Sequence, residues 1–196
     1  MKLPEIIIKI LQKKVVMRSF VAIEISNQNV IDSIEKFQKE NHFDAKSIEP
    51  KNLHFTLQFL GEISKQVSQK IINILQTIEF SSFDVNLNGI SAFPSKKSPK
   101  IIWIGTDMKG GNLLIELAQK IQKLLEPLGF FSDKSFKPHI TIFRIKKNIG
   151  DKTKELSEFK EKSFGIQKVT SVKLKKSELT SKGPIYSDLG EVKAIK

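Results

Sequence analysis

Apolar and polar residues follow two periods along the chain, and together they predict a mixture of strands and helices. Alternating or continuous apolar runs rich in β-branched and aromatic side chains predict strands. They lie at 20–25, 53–60, 83–93, 101–105, 139–145, 164–174 and 185–192. Apolar residues at every third or fourth position predict amphipathic helices. These run from a cap at Ser26 or Asn27 to about 41, from a cap at Ser64 to about 78, and over 111–125 and 152–162. Because strands and helices do not alternate as in a parallel sheet, we predict an α+β fold.

The domain organisation is simple. No long linker rich in Pro, Gly or Ser divides residues 17–196, so we predict a single domain there. Residues 1–16 form an N-terminal extension whose apolar run is interrupted by Lys9 and is too short to span a membrane. We interpret the extension as a product of an upstream start codon or a loosely attached basic helix. The alternative is an amphipathic segment that binds a membrane or a partner.

Composition narrows the possible functions. The chain has no cysteine, which excludes a disulfide framework, a thiolate zinc site, an iron–sulfur cluster and a cysteine nucleophile. A net charge of +12 favours a polyanionic partner, either nucleic acid or an anionic membrane surface. Of the 33 basic residues, only Arg18 and Arg144 are arginines, so these two positions are candidates for contacts that need a planar guanidinium. For Arg18, which opens the first strand, we favour a structural role. Lys96, Lys97 and Lys100 form a basic loop, which is either a solvated surface or one that follows an RNA backbone.

Two of the three histidines lie in the same local pattern. The segments are LHFTL at 53–57 and PHITI at 138–142. Since side chains alternate faces along a strand, His54 and Thr56 share one face, as do His139 and Thr141. The repeat of a polar pair over a core-facing pair indicates an internal duplication of a site.

Paired histidines and threonines suit acid–base chemistry at a phosphate. One imidazole acts as a base while the other, protonated, acts as an acid. The threonine hydroxyls donate hydrogen bonds to phosphoryl oxygens. The alternatives are structural histidines or a zinc site, but the sequence has no His-Glu-x-x-His or His-x-His motif to supply zinc ligands. No metal or cofactor is therefore expected.

The chain resembles the 2H phosphoesterase superfamily, and within it the RNA 2′,3′-cyclic phosphodiesterases, also called 2′–5′ RNA ligases. The resemblance covers residues 17–192 and includes, in order, MRSFVAIEI, HFTLQFLGE, FP before IIWIG, LGFFSDKSFKPHITIFRIK and SELTSKGPIYSDL. It implies a bilobal fold of two pseudo-symmetric halves, with antiparallel sheets flanking a central groove and helices outside.

The resemblance also implies an activity. A 2′,3′-cyclic phosphate at an RNA 3′ end is opened to a 2′-phosphomonoester without metal or ATP. A weak reverse activity is also implied, a 2′–5′ ligation that joins a cyclic phosphate to a 5′-hydroxyl. Carried over, His54 is the proton donor, His139 the proton acceptor, and Thr56 and Thr141 hold the phosphate. The residues alone leave open which histidine is the acid.

Two further positions follow the second motif. Arg144 lies where the family commonly has an arginine, and a contact with phosphate or base is expected there, although strict alternation turns residue 144 away from His139 unless the strand bulges or ends. The alternative for Arg144 is a structural ion pair. Alternation places Phe143 on the His139 face, where its ring would stack on a nucleobase; core packing is the alternative.

The expected partners are RNA 3′ ends with a cyclic phosphate, tRNA fragments among them, and not a membrane. The expected state is a cytoplasmic monomer. Two alternatives stay open: a non-catalytic module that binds nucleotides or RNA ends, and a phosphoesterase for another cyclic phosphate or for 2′–5′ oligonucleotides.

Overall fold

The computed structural model describes residues 16–132, 135–181 and 183–195. Its strands are β1 (Val16–Glu24), β2 (Lys46–Ser47), β3 (His54–Ser64), β4 (Phe83–Phe93), β5 (Ile101–Thr106), β6 (Ile140–Arg144), β7 (Ser163–Val169), β8 (Ser171–Thr180) and β9 (Gly183–Lys193). Its α-helices are α1 (Gln28–Glu40), α2 (Lys65–Leu75), α3 (Met108–Leu125) and α4 (Thr153–Ser157). The α+β prediction is confirmed. Residues 1–15, most of the predicted extension, lie outside the described residues.

The strands form one antiparallel sheet rather than two separate ones. The order is β7-β4-β5-β6-β3-β1-β8-β9, with the short β2 on β6. The two strands that carry the histidine motifs, β3 and β6, therefore lie side by side at the centre, with three strands beyond each. This arrangement gives the two halves expected from the repeat and joins them through the motif strands.

The sheet is curled, because β7 and β8 lie near opposite edges and yet only Thr170 separates them in sequence. The sequence predicted one strand over 164–174, and this prediction was wrong. The local pattern of apolar residues could not show that β7 pairs with β4 while β8 pairs with β1.

The helices cover one face of the sheet, and their limits follow from their caps. Asn27 and Ser64 accept hydrogen bonds from the backbone N–H groups of Asn29 and Val67, so the predicted caps of α1 and α2 are confirmed. The third helix begins earlier than predicted, because Asp107 caps it. The helix predicted at 152–162 is limited to the short α4.

Close packing of α3 against the sheet requires two glycines in the first turn of the helix. A Cβ on Gly110 would lie 2.8 Å from the Cα of Val85, and one on Gly111 would lie 2.7 Å from the hydroxyl of Thr106. These glycines let α3 approach β4 and β5 closely, and Leu114, Ala118 and Ile121 then pack into the core without exposure.

The opposite face of the sheet carries the two motif histidines, and we call it the His face.

No helix within the described residues is both long enough and apolar enough to cross a membrane.

Candidate active site

The two motifs meet where β3 and β6 pair. Phe55 lies opposite Ile140 in an antiparallel register, and both side chains are fully buried in the core. Extending this register by one residue in each direction places His54 across from Thr141 and Thr56 across from His139. Each histidine thus faces the threonine of the other motif, and all four polar side chains lie on the His face.

The two histidines are oriented by equivalent hydrogen bonds. His54 Nδ1 lies 2.7 Å from the carbonyl oxygen of Asn52, and His139 Nδ1 lies 2.6 Å from the carbonyl oxygen of Lys137. A carbonyl only accepts, so Nδ1 carries the proton in both rings. In each neutral imidazole Nε2 is consequently the free acceptor, and it becomes the donor when the ring is protonated. The two histidines therefore have the same tautomer.

Aromatic rings hold each imidazole in place. The His54 ring lies 5.0 Å from that of Phe20 and packs edge-on against Tyr186 at 5.4 Å. The His139 ring lies 5.1 Å from Phe93 and 5.8 Å from Trp103, the sole tryptophan of the chain. These contacts restrict ring rotation that the single hydrogen bond at Nδ1 would still permit.

Burial and nearby cations favour neutral imidazoles in the unliganded protein. The pKa of His54 is lowered from 6.5 to about 4, chiefly by burial and also by the charges of Lys175 and Arg144, against the opposing effects of the Asn52 carbonyl and Glu24. Burial and the charge of Arg144 also lower the pKa of His139, against the Lys137 carbonyl. A single guanidinium therefore acts on both imidazoles.

Arg144 reaches the His face because β6 contains a bulge. Phe143 pairs with Ile102 and Thr141 pairs with Trp103, so Ile142 is an extra residue in the ladder. Beyond it the alternation reverses, and Arg144 is exposed on the same side as the histidines. Strict alternation would have turned Arg144 away from His139, and the bulge turns it back to the same side.

The same bulge turns Phe143 into the core. Its side chain is 2% exposed and packs edge-on against Phe43 at 5.3 Å. The prediction that Phe143 shares the His139 face was wrong, because it assumed unbroken alternation. A ring so deeply buried offers no face to a nucleobase.

A matching bulge on β3 exposes a residue that the sequence did not single out. Gln58 pairs with Val21 and Thr56 with Ala22, so Leu57 is the extra residue. Phe59 is consequently on the His face with 72% of its surface exposed, and its ring lies 6.4 Å from that of Phe20. Both bulges occur three residues after the motif histidine, and residues 59 and 144 both lie five after it. Alignment of the two motifs would have identified this equivalence.

A cluster of four charges lies beside His54. Lys173 Nζ donates to Glu24 at 2.5 Å and to Asp188 at 2.7 Å, and Lys175 Nζ donates to the same two carboxylates. Glu24 is the cross-strand partner of His54, and Lys175 is only 4% exposed. A cavity of about 370 Å³ next to the cluster is lined in part by Glu24, Lys175, Asp188 and Tyr186. The two ion-paired lysines stabilise the carboxylates as anions, which lowers the pKa values of Glu24 and Asp188 although burial opposes the shift.

The basic loop follows β4 directly, and the last residue of that strand, Phe93, contacts His139. Lys97 and Lys100 are exposed, while Lys96 Nζ donates to Ser157 at 3.3 Å.

Across the described ranges, His, Asp and Glu side chains form no group of three that could hold a metal ion.

Comparisons with known proteins agree with this geometry. Residues 18–193 match the family described as the AKAP7 2′5′ RNA ligase-like domain. An RNA 2′,3′-cyclic phosphodiesterase of Archaeoglobus fulgidus is 37% identical over 88% of this chain and 98% of its own length. One from Aeropyrum pernix is 38% identical over 76% of this chain and 86% of its own length.

Solved structures show the same fold. TT0787 of Thermus thermophilus superposes with a TM-score of 0.76 at 26% identity, covering 90% of this chain and 97% of its own. LigT of Escherichia coli, complexed with 3′-AMP, superposes with a TM-score of 0.77 at 21% identity, covering 92% and 99%. The paired motifs, the curled sheet and these matches together lead to one assignment: the chain belongs to the AKAP7/2′–5′ RNA ligase-like family of 2H phosphoesterases.

Proposed function

We propose that this protein hydrolyses the 2′,3′-cyclic phosphate at an RNA 3′ end and leaves a 2′-phosphomonoester and a free 3′-hydroxyl. The observation that carries the proposal is the pair of equivalent histidines, each with Nδ1 bonded to the carbonyl two residues before it. The curated names of the archaeal relatives support the choice of substrate.

The proposed reaction needs one base and one acid. His139 Nε2 removes a proton from water, whose oxygen attacks phosphorus. The bond between phosphorus and the 3′-oxygen breaks, and protonated His54 gives its Nε2 proton to that oxygen. Thr56 and Thr141 donate hydrogen bonds to the non-bridging oxygens, and Arg144 compensates their charge. With an RNA 5′-hydroxyl in place of water, the same steps form a 2′–5′ linkage, and in reverse they cleave that linkage and regenerate the cyclic phosphate.

Substrate binding has an electrostatic role in this proposal. In the free protein, burial and the adjacent cations hold the pKa of His54 at about 4, which disfavours the acid form. The cyclic phosphate is an anion, and its approach favours protonation of both imidazoles. The acid is therefore charged mainly in the complex, where it is used.

The test is incubation of the protein with 2′,3′-cyclic AMP and with an RNA ending in a cyclic phosphate, in EDTA and without ATP. The expected product is the 2′-phosphate, separated by chromatography from a 3′-phosphate standard. A double variant, His54→Ala with His139→Ala, controls for contaminating nucleases and should form no product. Absence of hydrolysis by the wild-type protein, or release of the 3′-phosphate, would overturn the proposal.

The remaining expectations belong to this proposal: residues 17–196 act as one bilobal unit, the protein works as a cytoplasmic monomer, and tRNA fragments are among its substrates. Size-exclusion chromatography with light scattering tests the monomer. Sequencing of cyclic-phosphate ends after deletion of the gene tests the tRNA fragments.

A further inference from the structure

Arg18, the other arginine of this lysine-rich chain, lies on the His face and is not among the residues assigned to the reaction. Within β1 the side chains at 18, 20, 22 and 24 share one face, and Phe20 identifies it as the His face because its ring contacts His54. Arg18 is therefore on that face, and it is exposed. The sequence favoured a structural role for Arg18 at the start of a strand.

Arg18 has hydrogen-bonding groups beside it and, within the part of the chain that the structure describes, no carboxylate bound to it. It pairs with Ser177 of β8, and Ser177 pairs with Tyr186 of β9, so the three form a row across the sheet. Glu62 lies opposite Arg18 on β3, yet among the described residues no ion pair joins them. The charge of Arg18 lowers the pKa of Tyr186, although burial raises it overall. An open cavity of about 400 Å³ is lined in part by Arg18, Ser177 and Glu62.

The position of this row relative to the motifs decides what it can bind. Ala22 is the partner of Thr56, and Arg18 lies four residues earlier in the same strand, a separation of about 13 Å. The exposed ring of Phe59, which is opposite Phe20, lies between them. This separation corresponds to about four nucleotides at roughly 3.4 Å per nucleotide, the spacing along one strand of a duplex. Arg18 is consequently too far away to contact the reactive phosphate.

We propose that Arg18, with Ser177 beside it, binds a backbone phosphate of the RNA chain upstream of the cyclic end and so makes the enzyme prefer oligonucleotides to mononucleotides. The guanidinium offers a two-pronged donor to a phosphodiester, which a lysine does not. This inference rests on the proposed function.

The experiment compares kcat/KM for 2′,3′-cyclic AMP with that for oligonucleotides of two to six residues ending in a cyclic phosphate. For the wild-type protein, kcat/KM should rise with length and level off once the chain reaches Arg18. For Arg18→Gln the rise with length should be lost, so that kcat/KM for the longest substrate falls about 5- to 20-fold. The value of kcat/KM for 2′,3′-cyclic AMP should stay the same. The slope of log kcat/KM against log salt for that substrate should become shallower by about 0.7.

Two further variants make the test specific. Arg18→Lys keeps the charge but not the bidentate hydrogen-bond donor, and it should lose part of the effect of substrate length. Lys120→Gln removes an exposed charge from α3, on the helix-covered side of the sheet, and should keep the whole effect. An equal loss by Arg18→Gln on cyclic AMP and on oligonucleotides, or no loss on either, would overturn the proposal. If the wild-type protein hydrolyses neither substrate, it is the proposed function that fails.

Discussion

The two halves of the sheet share the geometry of the motif but differ in what surrounds it. Each half has a histidine bonded at Nδ1 to a carbonyl, a threonine two residues later and a bulge at the third. Around His54 lie Phe20, Tyr186 and a cluster of four ion-paired side chains. Around His139 lie two aromatic rings, and burial lowers its pKa without the further effect of a buried lysine.

This difference shows how one duplicated element can serve two roles. The shared part fixes which nitrogen of each ring faces the substrate. The surroundings then set how readily each ring takes a proton, and the position five residues after each histidine adds an exposed phenylalanine in one half and an arginine in the other. The shared geometry thus makes the two halves alike, and their surroundings make the two imidazoles inequivalent.

The largest expected effect comes from removing either imidazole. His54→Ala and His139→Ala should each lower kcat/KM on 2′,3′-cyclic AMP about 10²- to 10⁴-fold, because each removes one of two proton-transfer groups. Steady-state kinetics measure the loss, and circular dichroism checks that the fold is kept. If one variant retained full activity, the two halves would not act as a pair.

Next in size is the loss of the charge cluster beside His54. Lys175→Met should lower the free energy of unfolding by about 3 kcal/mol, because Glu24 and Asp188 then share only Lys173. Urea denaturation measures it. Lys176→Met is the matched control on the adjacent residue, whose ion pair with Glu178 is more exposed, and it should cost less than about 1 kcal/mol. Equal losses would contradict a special role for the buried pair.

Arg144 connects the two halves, and its removal should affect both. Arg144→Gln is expected to lower kcat/KM about 10- to 100-fold and to raise the pKa of both histidines, since its charge lowers both. Titration of the imidazole resonances by NMR measures the shift. Lys146→Gln removes a nearby exposed charge and serves as the control; if it matched Arg144→Gln, the effect would be one of net charge.

The smallest effect concerns the counterpart of Arg144. Phe59→Ala should raise KM for 2′,3′-cyclic AMP roughly 5- to 50-fold if the exposed ring stacks on the base. Ribose 2,3-cyclic phosphate, which lacks a base, is the control substrate and should be unaffected. A similar loss on both substrates would indicate a structural role for the ring.

The sequence predicted the strand and helix order, two of the helix caps and both motifs, because local periodicity and capping chemistry determine them. It did not predict the exposure of Phe59 and Arg144 or the burial of Phe143. Those depend on the bulges at Leu57 and Ile142, which exist only relative to the neighbouring strands. The separate pairing of β7 and β8 depends in the same way on long-range contacts that no local pattern contains.

The pH dependence of kcat/KM distinguishes catalysis by two imidazoles, one an acid and one a base, from catalysis by a single titrating group. This quantity reports the groups of the free enzyme. Because the pKa of His54 is lowered to about 4 and that of His139 is lowered from 6.5, we predict a bell with both limbs below pH 6.5. The limbs of kcat should lie at higher pH, because the bound phosphate favours the protonated rings. A single limb, or a plateau that continues above pH 7, would contradict paired catalysis by His54 and His139.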